Sequence, residues 1–308
     1  MEGISVGYSP HYLYLAAWFT ESGKMSDILN LHEKANQATV NKFSIFCVAN
    51  TNMPFRYKRL VFDAAVTSSL LYSCESWLTE SIRPITTQYN QLIRCLLGVR
   101  KNTCIDICMI EAGIPPLQHV ISKRRSKYLK YKIEVDDLEQ PFTYVYRLCS
   151  ENNTPAFQCL CKSLNFDINC NPFIAIADSI RDRALLSSKF HTYANELNIS
   201  LNVHPIYKSN IFIPDYQRQS FSRIRLMSHN LKIETGRWSR IPRERRVCPC
   251  NATQLQTENH VLTSCPLTHN IRVNYPMLDF SDLNMLFSEE LHILQLCSYV
   301  HEVLVLFS

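Results

Sequence analysis

Apolar residues recur every three or four positions through most of the first 135 residues, and this spacing constrains the fold more than any other feature of the sequence. In residues 55–77 the spacing continues for about six helical turns behind Pro54. In residues 85–97 it follows Pro84 and ends at Gly98. Proline suits the first turn of a helix, and glycine suits the position just beyond its end. We therefore predict a helical bundle in this half of the chain.

The remaining segments complete a prediction of a mainly α fold. Residues 12–19 are aromatic and apolar and lead into a turn at residues 21–24, which predicts a short buried strand and a turn. Residues 195–214 have no clear period. Further helices are predicted at residues 26–49 with Ser26 as the cap, and at 103–112, 117–133, 172–194, 220–232 and from Leu283 onward.

Composition excludes several classes of protein. The chain has only six glycines, none at the spacing of a nucleotide-cradling loop, and no small-molecule substrate is evident. The longest apolar run, Tyr12 to Phe19, is shorter than the roughly 18 residues that a membrane span needs, so we expect no membrane partner. The thirteen cysteines are odd in number and no signal peptide is recognised. We therefore expect an intracellular protein, nuclear or cytoplasmic.

Positive charge is concentrated in two segments. Residues 218–246 carry nine Lys and Arg against two acids, a net charge of +7 in a chain whose total is +5. Residues 123–132 hold a second cluster without acids. Clusters of this kind predict contact with a polyanion such as nucleic acid. A solvated face is the alternative, above all for the second cluster, because four acids follow it at residues 134–139.

One group of residues has metal-ligand spacing. Cys248, Cys250, His260 and Cys265 form the pattern C-x-C-x9-H-x4-C. Three thiolates and one imidazole are the ligand set of a closed tetrahedral zinc site. A single residue between the first two cysteines is fewer than usual, and incidental cysteines in a cysteine-rich chain are the alternative. We predict one bound zinc ion.

The sequence around these four residues resembles a known family. The order is R-x-R-L from Arg223, G-R-W from Gly236, R-x-C ending at Cys248, and E-x-H-x-L-x-x-C-P from Glu258. It is similar to the arginine-rich lead and the Cys-Cys-His-Cys knuckle that close the reverse transcriptases of LINE-class non-LTR retrotransposons. Residues 12–17 look like the family's YLG strand at the palm, with Ala16 where glycine is expected. Residues 42–77 and 89–102 look like its helical thumb.

The resemblance implies both an architecture and a role. The chain would comprise a palm-edge remnant (1–25), a helical thumb-like domain (26–135), a mixed but mostly helical linker domain (136–246), a zinc knuckle (247–275) and a C-terminal helix (276–308). It would bind RNA or DNA, or both, chiefly through phosphate. The thumb contacts would be Arg100, Lys101, Lys123, Arg124, Arg125 and Lys127, and the linker contacts Arg223, Arg225, Arg237, Arg240, Arg243, Arg245 and Arg246. Trp238 would either stack on an unpaired base or anchor the linker core.

Catalysis is not expected from this chain alone. The family's polymerase carboxylates hold two metal ions and lie ahead of the YLG strand. The adjacent acids Asp136 and Asp137 lie on the wrong side of that strand and lack the aromatic residue two positions earlier. We therefore expect a nucleic-acid-binding fragment. The alternatives are an inert or protein-interaction helical module derived from such an element, and part of an active polymerase from an incomplete gene model.

Overall fold

The computed structural model of the protein describes residues 8–15, 17–135, 147, 150–288 and 291–308. Ala16 and the pair Asp136 and Asp137 lie outside these residues. The described residues are mainly helical with two small antiparallel sheets, which confirms the predicted fold class at that level. The strands are β1 (His11–Tyr14), β2 (Ala17–Thr20), β3 (Val247–Cys248) and β4 (Asn251–Leu255).

The helices are distributed along the whole of the described chain. The α-helices are α1 (Met25–Ala49), α2 (Phe55–Val61), α3 (Thr67–Leu70), α4 (Arg83–Leu97), α5 (Ile105–Ala112), α6 (Leu117–Val135), α7 (Pro155–Leu164), α8 (Ile174–Leu186), α9 (Ser188–Thr192), α10 (Asp215–Arg225), α11 (Lys232–Trp238), α12 (His269–Val273), α13 (Leu283–Ser288) and α14 (Ile293–Leu306). Turns of π-helix span Phe62–Val66, Tyr193–Leu197 and His260–Ser264, and 3₁₀ turns span Cys74–Ser76, Pro205–Tyr207, Arg243–Arg245 and Pro266–Thr268. None of the described helices is both long and apolar enough to span a membrane.

The N-terminal strands form an exposed hairpin, which corrects the prediction of a buried strand. β1 and β2 pair antiparallel with Tyr12 opposite Phe19, and the two rings stack with their centroids 5.2 Å apart. Tyr12, Leu13 and Tyr14 are nevertheless each more than half exposed. A two-stranded sheet buries side chains only against their cross-strand partners, so an apolar sequence alone does not place it inside.

Contacts between Cα atoms divide the chain into two compact units. The first comprises Met1–Phe43, Phe62–Asn90 and Pro115–Pro172, and the second comprises Ser44–Val61, Gln91–Ile114 and Phe173–Ser308. The five-part division drawn from the sequence remains a prediction.

The first unit is built on amphipathic helices, as the apolar spacing predicts. α6 packs against α7 and buries Ile121 and Leu129. The helix predicted over residues 55–77, however, ends at Leu70, after the π turn at Phe62–Val66. A π turn accommodates one extra residue, and Phe62 and Val66 within it are buried. A strict 3.6-residue period could not predict that interruption.

The second unit is organised around α10, which packs against α14. Phe221 and Ile224 of α10 are fully buried. The prediction of a helix over residues 220–232 is wrong in both bounds, because α10 begins at Asp215 behind Pro214 and ends at Arg225. The chain then turns at Met227, whose φ is +50°. That turn separates α10 from α11 and brings residues 228–230 beside the end of α4.

Candidate metal centre and arginine loop

A short hairpin and a helical turn bring the four predicted metal ligands together. β3 and β4 pair antiparallel, so Cys248 and Cys250 lie on either side of the turn at Pro249. His260 begins the following π turn, and Cys265 comes directly after it. The first two cysteines are thus held by a hairpin, and His260 is held by a helical turn.

The four ligand atoms have distances that suit a tetrahedral metal ion. All of them lie within 4.8 Å of one another. The Sγ atoms of Cys248 and Cys265 are 3.7 Å apart, and Cys250 Sγ is 3.1 Å from His260 Nε2. Zinc–sulfur bonds of about 2.3 Å place two tetrahedral sulfur ligands about 3.8 Å apart. The cysteines are free thiols, and the sulfur separation is far beyond that of a disulfide. The cluster can therefore hold a metal ion.

The surroundings of the ligands keep the thiols protonated and the imidazole neutral when no metal ion is bound. Burial raises the pKa of Cys248 to about 12 and also raises that of Cys265. Burial and the charge of Arg272 lower the pKa of His260, which keeps its imidazole neutral and able to ligate. Ser264 Oγ lies 3.4 Å from His260 Nδ1 and helps to orient the ring. A metal at this cluster would displace thiol protons, so its affinity would depend on pH.

The turn that carries His260 rests on a buried support. Val261 and Leu262 are fully buried, and the hydroxyl of Tyr299 on α14 donates to the Leu262 carbonyl. Arg272 donates from Nη2 to the Cys265 carbonyl at 2.9 Å. These contacts hold the second pair of ligands to the rest of the second unit.

Buried polar contacts join the cluster to the arginine-rich segment before it. His229 accepts at Nδ1 from the Leu231 amide, so its Nε2 carries the proton that is donated to Glu258 Oε1 at 2.8 Å. Burial alone would raise the pKa of Glu258, but the hydrogen bond from His229 holds it below its ordinary value. The amide of Gln256 donates to the Arg246 carbonyl at 2.9 Å. The resembling motifs are therefore neighbours in space as well as in sequence.

Two motif residues, Gly236 and Arg246, contact each other inside the fold. Arg246 donates to the carbonyl of Ile233 from Nη1 and to that of Ile241 from Nε and Nη2. Its side chain lies so close to Gly236 that an added Cβ would stand 2.7 Å from Arg246 Cδ. Glycine allows this approach, and the guanidinium fastens α11 to the segment that enters β3.

Residues 239–246, the arginine loop, connect α11 to β3. Arg240 has a φ of +54° and is the left-handed residue of a helix-ending motif: its amide donates to Arg237 O at 3.2 Å and that of Ile241 to Gly236 O at 2.8 Å. Arg240, Arg243 and Arg245 are exposed. Within the described chain none of these three side chains has a hydrogen bond or an ion pair. The loop thus presents three unpaired guanidinium groups beside the metal cluster.

Two predicted nucleic-acid contacts are corrected because the structure buries them. Arg225 is 2% exposed, and its guanidinium is paired with Glu111 and donates to the Leu197 carbonyl at 2.5 Å. Arg125 is 1% exposed and donates to the Trp77 carbonyl and to Ser163. Both charges are used inside the protein, so neither reaches a phosphate in the folded chain.

The other predicted contacts lie at or near the surface. Trp238 is 44% exposed and packs on the Arg100 guanidinium, whose central carbon is 3.8 Å from the ring centroid, so the ring is not a buried core anchor. Arg237 is paired with Glu234. Lys101, Lys127 and Arg223 are exposed, and Arg100, Lys123 and Arg124 are partly exposed.

Sequence reasoning missed Glu111 and Glu258, although both carry a signal. Glu111 is an isolated acid near the end of the apolar run I-C-M-I-E-A in α5, and it is fully buried. A charged residue in such a run indicates a buried ion pair, but its partner Arg225 is 114 residues away. Glu258 was noted only as part of a motif. Its contact with His229 depends on the turn at Met227.

Comparison with known proteins identifies no relative. No protein-family model, no curated protein and no solved structure matches this chain.

Proposed function

We propose that the chain binds nucleic acid through the arginine loop, held in place by zinc at the Cys248, Cys250, His260 and Cys265 cluster. The observation that carries this proposal is the set of three exposed arginines without protein partners, on a loop that leads directly into the metal cluster. Guanidinium groups match phosphate oxygens in a two-pronged geometry and stay charged at any physiological pH.

The conformation of Arg240 supports a role outside folding. A side chain at the left-handed position after a helix costs free energy that glycine would avoid. The charge of Arg240 is satisfied by no group in the described chain, so folding gains nothing evident from arginine here. Contact with a polyanion would neutralise the charge of that side chain.

The resemblance to the C-terminal region of LINE-class reverse transcriptases is part of the same proposal. It is supported by the contacts of the motif residues. Arg246 packs against Gly236 and donates to the Ile233 carbonyl, and Glu258, two residues before the ligand His260, accepts from His229. In this interpretation the chain holds RNA or DNA by its phosphates and performs no polymerisation by itself.

The test is a triple variant in which Arg240, Arg243 and Arg245 become glutamine. Its matched control replaces three exposed lysines elsewhere, Lys34, Lys42 and Lys208, with glutamine, so that both proteins lose the same net charge. Fluorescence anisotropy with labelled single-stranded RNA and duplex DNA should show about tenfold or greater weakening in the arginine variant at about 0.1 M salt. Equal affinities in the two variants would refute the assignment of the loop.

A further inference from the structure

A polar cavity in the second unit lies outside the metal cluster. Its volume is about 340 Å³, and four segments line it: the turn after α4 at residues 98–100, α10 at Ser220 and Arg223, residues 228–230, and the end of α14 from His301. Volumes of this order accommodate a small organic ligand. The side chains that line it include two arginines and two histidines.

Arg100 lies at the wall of this cavity, where several contacts fix its position. Its guanidinium lies on the Trp238 ring, Nη2 donates to Asn230 Oδ1, and the backbone amide donates to Ser228 Oγ at 2.9 Å. The remaining terminal nitrogen, Nη1, is buried and has no hydrogen-bond partner. A buried donor of a charged group without an acceptor is unfavourable, and such groups in native proteins usually meet a water, an ion or a ligand.

Arg223 supplies the second positive charge. It donates from Nε to the Gly98 carbonyl at 3.0 Å and from Nη2 to Gln219 Oε1 at 3.3 Å, contacts that fix its position at the cavity. Burial and the charge of Arg223 lower the pKa of Arg100. Two cations that repel each other across a polar cavity are stabilised by an anion between them.

We propose that this cavity binds a phosphomonoester, with Arg100 and Arg223 contacting the phosphate oxygens. A phosphate would offset the mutual repulsion of the two arginines, and the cavity has room for more than the phosphate alone. The ligand is either a free small phosphate compound or the phosphorylated end of a nucleic-acid strand. This site does not depend on the arginine loop, so either assignment can fail while the other stands.

The test uses the full chain with inorganic phosphate and adenosine 5′-monophosphate as probes, and adenosine as the uncharged comparison. Calorimetry should detect both phosphates and no adenosine binding. Arg100→Gln and Arg223→Gln should each weaken binding at least about tenfold, since each removes a charge-assisted contact. Lys208→Gln, at an exposed lysine outside the cavity and outside the arginine loop, should bind the phosphates as the unaltered protein does.

Thermal unfolding without ligand separates a lost contact from a lost fold. Arg100→Lys keeps the charge but removes the forked donors, so it should remain folded and still bind more weakly than the unaltered protein. Preference for a 5′-phosphorylated over a 5′-hydroxyl oligonucleotide would identify a strand end as the ligand, and its absence would identify a free phosphate compound. No phosphate binding by the unaltered protein, or equal binding by the folded Arg100 and Arg223 variants, would overturn the proposal.

Discussion

Two arginines of α10 and three of the arginine loop belong to one positively charged segment, yet they have opposite environments. Arg218 and Arg225 of α10 are 3% and 2% exposed, and they pair with Asp215 and Glu111. Arg240, Arg243 and Arg245 are exposed and have no partner in the described chain. Charge density in a sequence therefore does not distinguish an internal ion pair from a binding surface.

The difference also changes the charge that a ligand meets. Of the nine cations in residues 218–246, two are neutralised inside the unit, and Arg237 is paired with Glu234. The unpaired charge is concentrated in the arginine loop, next to the metal cluster. We expect buried arginines to act on stability and loop arginines to act on binding. Four predictions test this separation.

The largest effect is expected at the metal cluster, which anchors the loop. The purified protein should contain about one zinc ion per chain. His260→Ala or Cys265→Ser should abolish zinc binding, because each removes one of the four ligands. The effect should be large, since apparent binding free energies of structural zinc reach about 10–16 kcal/mol. The measurement is elemental analysis together with nucleic-acid affinity, which should fall as the loop loses its anchor. Cys170→Ser, at an exposed cysteine outside the cluster, is the control. Full zinc content in both cluster variants would disprove the site.

Arg225→Met should produce the second-largest effect, now on the buried side of the comparison. It leaves Glu111 buried without its cation, and removing one partner of a buried ion pair costs about 3–5 kcal/mol. Urea unfolding measures this loss. Arg240→Gln, on the exposed side, should change the free energy of unfolding by less than about 0.5 kcal/mol. Equal effects of the two substitutions would remove the distinction between the two sets of arginines.

A smaller effect of about 1 kcal/mol is expected from His204, whose ring accepts at Nδ1 from the Ile206 amide and donates from Nε2 to the Phe287 carbonyl. Burial and the charge of Arg225 lower its pKa to about 3. Below about pH 6.5 the unfolded chain therefore binds a proton that the folded chain excludes. The free energy of unfolding accordingly decreases as the pH is lowered from about 6.5 to about 3. From pH 7 to pH 5.5 the unaltered protein should lose about 1 kcal/mol more than His204→Gln does. Parallel pH dependences would contradict the lowered pKa, because they would mean that His204 has the same pKa in the folded and the unfolded chain.

Local features of the sequence predicted more of the structure than long-range ones. The metal cluster could be predicted because its four ligands lie within 18 residues. α4 and Gly98 could be predicted because a 3.6-residue period and a helix-ending glycine are adjacent signals, and Gly98 has a φ of +72°. The burial of Arg225 could not be predicted, because Glu111 is 114 residues away. The exposure of β1 likewise could not be predicted, because it depends on whether another element covers the hairpin, and the sequence of the strand does not indicate that.

The most direct test of the central claim is the salt dependence of nucleic-acid binding by Arg240→Gly. Glycine relieves the left-handed strain at this position, so the free energy of unfolding should stay the same or rise by up to about 1 kcal/mol. One phosphate contact is lost, so the slope of log affinity against log salt should flatten by about 0.7 on single strands or 0.9 on duplex DNA. Arg240→Gln should flatten it equally without the gain in stability. A slope unchanged in both variants would contradict the proposal that the arginine loop binds phosphate.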